Sequence, residues 1–165
     1  MKNEAIENNP ILTLANVSKN FGGVVAAKDI NLSLYPREVF GLIGPNGAGK
    51  TTLINLITGV NKVDQGTIKL NGEDITNRPN YYRARAGITR TFQHPHLLQR
   101  CDIETNLFLG IDLANKKNAA RDIEDREYLD MLLDRAGLNI NLSHSIGKLA
   151  YGQQKLLEIV RALLT

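Results

Sequence analysis

The sequence predicts an α/β protein, and three observations carry that prediction. The short apolar run at residues 39–43 leads into Gly44-Pro45-Asn46-Gly47-Ala48-Gly49-Lys50-Thr51, and an apolar helical pattern follows at once. Strand-like patterns with turn residues between them precede this unit. From about residue 102 onward helical periodicity dominates.

The central unit is the strongest. Residues 39–43 follow the turn-like Pro36-Arg37-Glu38 and read as a buried strand. Leu53, Ile54, Leu56 and Ile57 form an apolar helix face, and Gly59 is a suitable stop. Between them stands Gly-x-x-x-x-Gly-Lys-[Ser/Thr], whose glycines let successive backbone N–H groups curl around an anion. A helix starting at this point adds its unpaired N–H groups and the positive end of its dipole. Lys50 is long enough to reach β- and γ-phosphates, and the Thr51 hydroxyl suits their magnesium ion.

Ahead of this unit, residues 11–17 read as a strand, Ser18-Lys19-Asn20-Phe21-Gly22-Gly23 as a turn with an exposed aromatic, and residues 24–27 as a second strand. In residues 29–35, Ile30, Leu32 and Leu34 alternate with Asn31, Ser33 and Tyr35, the period of a half-buried antiparallel strand. Behind it, residues 66–70 read as a strand and Asn71-Gly72 as a hairpin turn. Residues 81–86 read as a short Arg-rich helix and residues 87–93 as a further strand. Three helices are then expected, at residues 103–114, 119–137 and 152–164, with a polar connector at residues 115–118. The second has Leu129, Leu132, Leu133 and Ala136 at core spacing; the third places Leu156, Val160, Leu163 and Leu164 on one face.

Overall numbers bound the function. The 165 residues suffice for one domain with a core, and 42% hydrophobic with 22% charged content is ordinary for a globular chain. A net charge of +3 does not make a nucleic-acid footprint, and the Arg78, Arg83, Arg85 and Arg90 group reads as a solvated face. A single cysteine, Cys101, permits no internal disulfide. No stretch is apolar enough to span a bilayer, so work at a membrane requires an embedded partner. His94-Pro95-His96 lacks the further ligands of a metal site.

A second constellation opens the last helix. Leu149-Ala150-Tyr151-Gly152-Gln153 places a glycine and a glutamine where backbone N–H groups face outward. Together with the phosphate loop, with Phe92-Gln93 after an expected strand and with the antiparallel strands in front, it resembles the ATP-binding-cassette (ABC) ATPases, the motor subunits of ABC transporters. Residues 44–52 look like their Walker A segment, Phe21 matches the adenine-stacking aromatic, Gln93 matches the Q-loop glutamine, and residues 149–153 match the signature motif with Ala150 and Tyr151 replacing Ser and Gly. The likeness covers the chain after residue 10. Phe21-Gly22-Gly23, Arg90-Thr91-Phe92-Gln93-His94 and Ala150-Tyr151-Gly152-Gln153-Gln154 are most similar to importers of branched-chain amino acids.

The resemblance implies a P-loop NTPase core with an N-terminal antiparallel β subdomain and a helical subdomain. After a polar arm at residues 1–10, the cassette would run over residues 11–165: β subdomain and phosphate-loop core to 93, helical subdomain at 94–150, and the signature helix from 151. It implies ATP and Mg2+ as ligands, held by Phe21, Gly44, Asn46, Gly47, Ala48, Gly49, Lys50, Thr51 and Thr52. Ala150, Tyr151, Gly152 and Gln153 would cap ATP bound by a second subunit. Thr51 and Gln93 would face the metal, Gln93 also sensing the γ-phosphate. The implied partners are transmembrane permease subunits, a second ATP-binding subunit (the same chain or another) and, indirectly, a periplasmic substrate-binding protein, with no nucleic acid. The implied location is the cytoplasmic face of the inner or plasma membrane.

Family members continue past the signature helix with a Walker B strand ending in Asp-Glu, a D-loop and a switch histidine. None of these is among the 165 residues. The expectation is therefore a fragment with an incomplete central sheet, in which the 39–43 strand loses a neighbour and hydrolysis is deficient. Two other readings stay open: a non-catalytic nucleotide-binding or dimerisation module, and a cassette protein acting on ribosomes or DNA.

Overall fold

The computed structural model describes residues 9–114 and 121–165, and side chains outside 110–125. Most of the polar arm and the 115–118 connector lie outside the described residues. The chain divides into two compact units, one ending at Arg83 and the other beginning at Ala84.

The first unit holds a four-stranded antiparallel sheet of order β2-β1-β3-β4, formed by β1 (Leu12–Phe21), β2 (Val24–Leu34), β3 (Gln65–Leu70) and β4 (Glu73–Asp74). The two strands expected at residues 24–27 and 29–35 are one, β2, paired to β1 from Leu12–Leu34 to Phe21–Val24 with register shifts between. Asn16 and Asp29, both left-handed, lie within that irregular stretch. Ile30, Leu32 and Leu34 are half-buried and Asn31 and Ser33 exposed, as their alternation requires. Asn71 and Gly72 have φ of 48° and 83°, the two positive values that a tight β3–β4 hairpin turn needs. Leu12, Leu14, Val17, Ile68 and Ile75 are buried, as are Leu53 and Leu56 of α1 (Lys50–Ile57).

Residues 39–43, expected as a strand, are not one. They run without regular structure into α1, with Val39 99% and Ile43 92% exposed. A strand persists only where its N–H and C=O groups find a ladder partner, and no described strand pairs with this segment. β propensity reports a fit to a pleated, half-buried surface, not an intrinsic state of the backbone.

Short helix α2 (Asn80–Arg85) brings a second correction. Arg83 does not belong to a solvated face; it is 1% exposed. Its guanidinium donates to the carbonyls of Leu56 and Ile57 at 2.7 and 2.8 Å, and to those of Thr76 and Arg78 at 2.8 and 3.0 Å. It therefore caps the C-terminal end of α1, where carbonyls lack helical partners and positive charge is favoured.

The second unit is helical: α3 (Ile103–Ala114), α4 (Arg121–Arg135) and α5 (Tyr151–Leu163), with a single 3-10 turn at Ile146–Lys148 in the connection before α5. Its core joins Ile103 and Leu107 of α3, Leu129, Leu132 and Leu133 of α4, Ile146, and Leu157, Val160 and Leu164 at α5. The core face read for α4 is the one buried. The face read for α5 is buried in part: Val160 and Leu164 are in the core, but Leu157 is buried in place of Leu156 and Leu163, which are 39% and 54% exposed. Residues 87–93, expected as a strand, also form none. The Phe92 N–H, which a ladder would have used, goes to the Glu158 carboxylate, and Thr89 Oγ1 donates to the Ala162 carbonyl, so this segment is held by α5.

Candidate functional site

The sequence-predicted site residues fall into two groups, one in each unit. In the first unit, residues 44–49 loop into the start of α1. Gly47 and Gly49 are left-handed, with φ of 85° and 80°, and Gly49 stands directly before the helix. A Cβ on Gly49 would lie 2.3 Å from the Ala26 carbonyl oxygen, so this position requires glycine on both conformational and steric grounds. That close approach seats the loop against β2.

Lys50 opens α1 and folds back over the loop, its Nζ donating to the carbonyls of Gly44 and Pro45, both at 2.7 Å. Thr51 is exposed on the first turn and Thr52 half-buried; Asn46 and Ala48 are exposed on the loop. A cleft of about 250 Å3 lies between β2 and the loop, lined by residues including Ala26, Lys28, Ala48, Gly49, Lys50 and Leu53. No acidic side chain lines it. A helix N-terminus, a lysine and left-handed glycines without an opposing carboxylate form a donor set suited to a polyphosphate anion.

Phe21 stands outside that lining, at the end of β1 beside the Gly22-Gly23 turn, and is 45% exposed. Lys19 Nζ lies 5.2 Å from its ring centre. Asp64 holds this strand end: it accepts from Lys19 Nζ at 2.5 Å and from the Asn20 N–H at 2.8 Å. The Lys19 hydrogen bond, then the Asn20 N–H, hold its carboxyl below the usual carboxylate range.

In the second unit, Ala150 is the N-cap residue of α5, and Gln153 reaches back to accept the Ala150 N–H at 3.0 Å. Gln154 donates to the Leu149 carbonyl at 3.0 Å. Gly152 is exposed, with nothing within 4 Å of where a Cβ would stand. The Tyr151 hydroxyl donates to the Gln93 carbonyl at 3.1 Å, which brings two of the predicted residues into direct contact.

Sequence reasoning missed Asp64, Arg83 and Glu158. Asp64 sits in a polar connection with no local signal. Arg83 offers none beyond its helix. Glu158 interrupts the apolar run Leu156-Leu157-Glu158-Ile159-Val160, and an acid inside such a run marks a buried group with partners.

The chain is similar to known proteins over most of its length. Residues 27–165 match the family model described as ABC transporter. The chain is 37% identical to the high-affinity branched-chain amino acid transport ATP-binding protein LivG of Escherichia coli (strain K12), covering 94% of this chain and 66% of that protein. It is likewise 37% identical to BraF of Pseudomonas aeruginosa, a protein of the same description, with the same coverage. Among solved structures, a nucleotide-free ATP-binding cassette from an ABC transporter superposes with a TM-score of 0.76 at 34% identity, over 94% of this chain and 65% of its own. An ATP-binding cassette in its ADP conformation superposes with a TM-score of 0.78 at 34% identity, over 95% of this chain and 65% of its own. The chain thus spans about two thirds of the length of these relatives. Matched over residues 27–165 by the family model, the chain belongs to the ABC transporter ATP-binding family.

Proposed function

We propose that this chain is the nucleotide-binding part of an ATP-binding subunit of an importer for branched-chain amino acids. The observation that carries the proposal is the loop at residues 44–52, with its left-handed Gly47 and Gly49, its helix start and the Lys50 ammonium folded over it. The substrate class is supported by LivG and BraF, each 37% identical to this chain.

In this reading the loop N–H groups and Lys50 bind the β- and γ-phosphates, and Thr51 faces magnesium. Asn46, Ala48 and Thr52 complete the loop. Phe21 stacks on adenine, and Gln93 senses the metal and γ-phosphate. Ala150, Tyr151, Gly152 and Gln153 cap the nucleotide held by a second subunit, so that two chains enclose two ATP. Bound magnesium would supply charge neutralisation at the phosphates. Lys50 Nζ exchanges the Gly44 and Pro45 carbonyls for phosphate oxygens, which are stronger, charged acceptors. None of these residues can take a proton from an attacking water, so the set binds, orients and senses.

Among the described residues no helix is long and apolar enough to cross a membrane. In this proposal the subunit sits at the cytoplasmic face of the inner or plasma membrane through permease subunits, which receive the closure of the paired cassettes. A periplasmic binding protein would deliver substrate to those permeases. Co-expression with candidate permease subunits tests the assignment. Co-purification with membrane subunits is expected; RNA in their place would favour the ribosome-acting alternative and overturn the importer reading.

A further inference from the structure

Helix α5 does more than present residues 150–153. Four of its side chains grip one segment, residues 92–96. Glu158, 1% exposed, uses one carboxylate oxygen, Oε1, to accept the N–H of His96 at 3.1 Å and that of Phe92 at 3.4 Å. Those two amides bracket Gln93. Lys155 Nζ donates to the Phe92 carbonyl. Arg161 donates to the His96 carbonyl at 2.8 Å. Tyr151 donates to the carbonyl of Gln93 itself at 3.1 Å. The second carboxylate oxygen of Glu158 is buried without a hydrogen bond, with Lys155 Nζ 3.8 Å away.

A buried carboxylate is costly unless N–H groups and a cation compensate it, and among the described residues the compensating N–H groups are those of the loop, at Phe92 and His96. Replacing the pair by apolar groups would serve packing equally well. The polar arrangement fixes something packing cannot: the path of the backbone at Gln93, in a segment with no strand ladder to define it. The exposed Gln93 side chain is thereby carried on the same rigid element that begins with Ala150, Tyr151, Gly152 and Gln153.

We infer that Glu158 is a positioning residue that locks the Gln93 loop to the signature helix, so that Gln93 and Gly152 move as one piece. This rests on the reading of Gln93 as the phosphate sensor. Lys155, Arg161 and Tyr151 complete the lock on the loop's carbonyl side.

Amide hydrogen exchange on the 165-residue chain, resolved by NMR, tests it. Glu158→Ala should speed exchange at Phe92 and His96 by roughly tenfold or more, the scale of a lost charge-assisted hydrogen bond in a local opening. The amides of Leu157, Val160 and Leu164 should keep their rates. Glu158→Gln, which retains an accepting oxygen without the charge, should recover much of the protection at Phe92 and His96, which a change in helix packing would not do. Wild-type rates in Glu158→Ala, or equal loosening in Glu158→Gln, would overturn the inference. Should Glu158→Ala fail to fold, Glu158→Asp withdraws the charge by one methylene and carries the same expectation; wild-type rates there overturn it. No nucleotide is used, so failure of the ATP-binding reading shows separately, as absence of Mg-ATP binding by the wild-type chain.

Discussion

Gly49 and the Ala26 carbonyl of β2 approach so closely that a methyl group on Gly49 would lie 2.3 Å from that oxygen. The phosphate loop is thus fitted against the antiparallel sheet at one glycine. Gly47 is equally left-handed, with φ of 85°, but has open space around it. The two glycines separate strain from clash. Gly47→Ala should cost about 1–2 kcal/mol for the left-handed backbone alone. Gly49→Ala should cost clearly more, because the loop must also leave β2. Urea unfolding of both variants checks the order; equal midpoints would show that the contact with Ala26 is unimportant.

Arg83 bonds four carbonyls at the end of α1 and the approach to α2. Burial pushes its guanidinium below its usual pKa, a mark of its desolvation. Arg83→Met keeps the apolar stem and removes every donor, leaving buried acceptors unpaired. A destabilisation of about 3 kcal/mol is expected from such orphaned groups. Thermal unfolding measures it, and an unchanged midpoint would mean that solvent reaches those carbonyls.

The Lys19–Asp64 link predicts an acid-sensitive strand end. The folded carboxyl titrates below its ordinary value of 3.8, chiefly through the Lys19 hydrogen bond. Its stabilising contribution is therefore complete above pH 3.8 and is lost as pH falls through the lower folded value. Asp74, depressed by Thr76, and Asp102, depressed by Thr105, add to the same acid limb. Asp64→Asn should flatten part of the fall in melting temperature on acidification and leave neutral-pH salt dependence weaker. An unaltered acid limb would remove Asp64 from the account.

The cleft against the loop contains Lys28 and Lys50 but no carboxylate. A group that binds phosphates without a base to polarise water should bind more than it turns over. The 165-residue chain is expected to hydrolyse ATP at the background rate. Phosphate release that disappears in Lys50→Ala would contradict this.

What was legible in the sequence was local. The Gly-x-x-x-x-Gly-Lys-Thr spacing, the Asn71-Gly72 turn and the Leu129, Leu132, Leu133 stripe each contain their own geometry in a few consecutive residues. Residues 39–43 and 87–93 have strand composition, yet a strand is a property of a pair, and the partner is not written in the segment. The buried face of α5 is only half legible because four leucines, an isoleucine and a valine in nine positions allow two apolar stripes. The loop bonds of Glu158 select the one that includes Leu157. Arg83 was misread because an arginine's burial depends on carbonyls far away in sequence, at Leu56 and Ile57.

The most direct test of the central claim is calorimetric titration of the chain with Mg-ATP, paired with Lys50→Ala. The account predicts magnesium-dependent binding by the wild-type chain, a matching rise in its melting temperature, and loss of both in the variant. Absence of binding by the folded wild-type chain, or binding that survives Lys50→Ala undiminished, would contradict it.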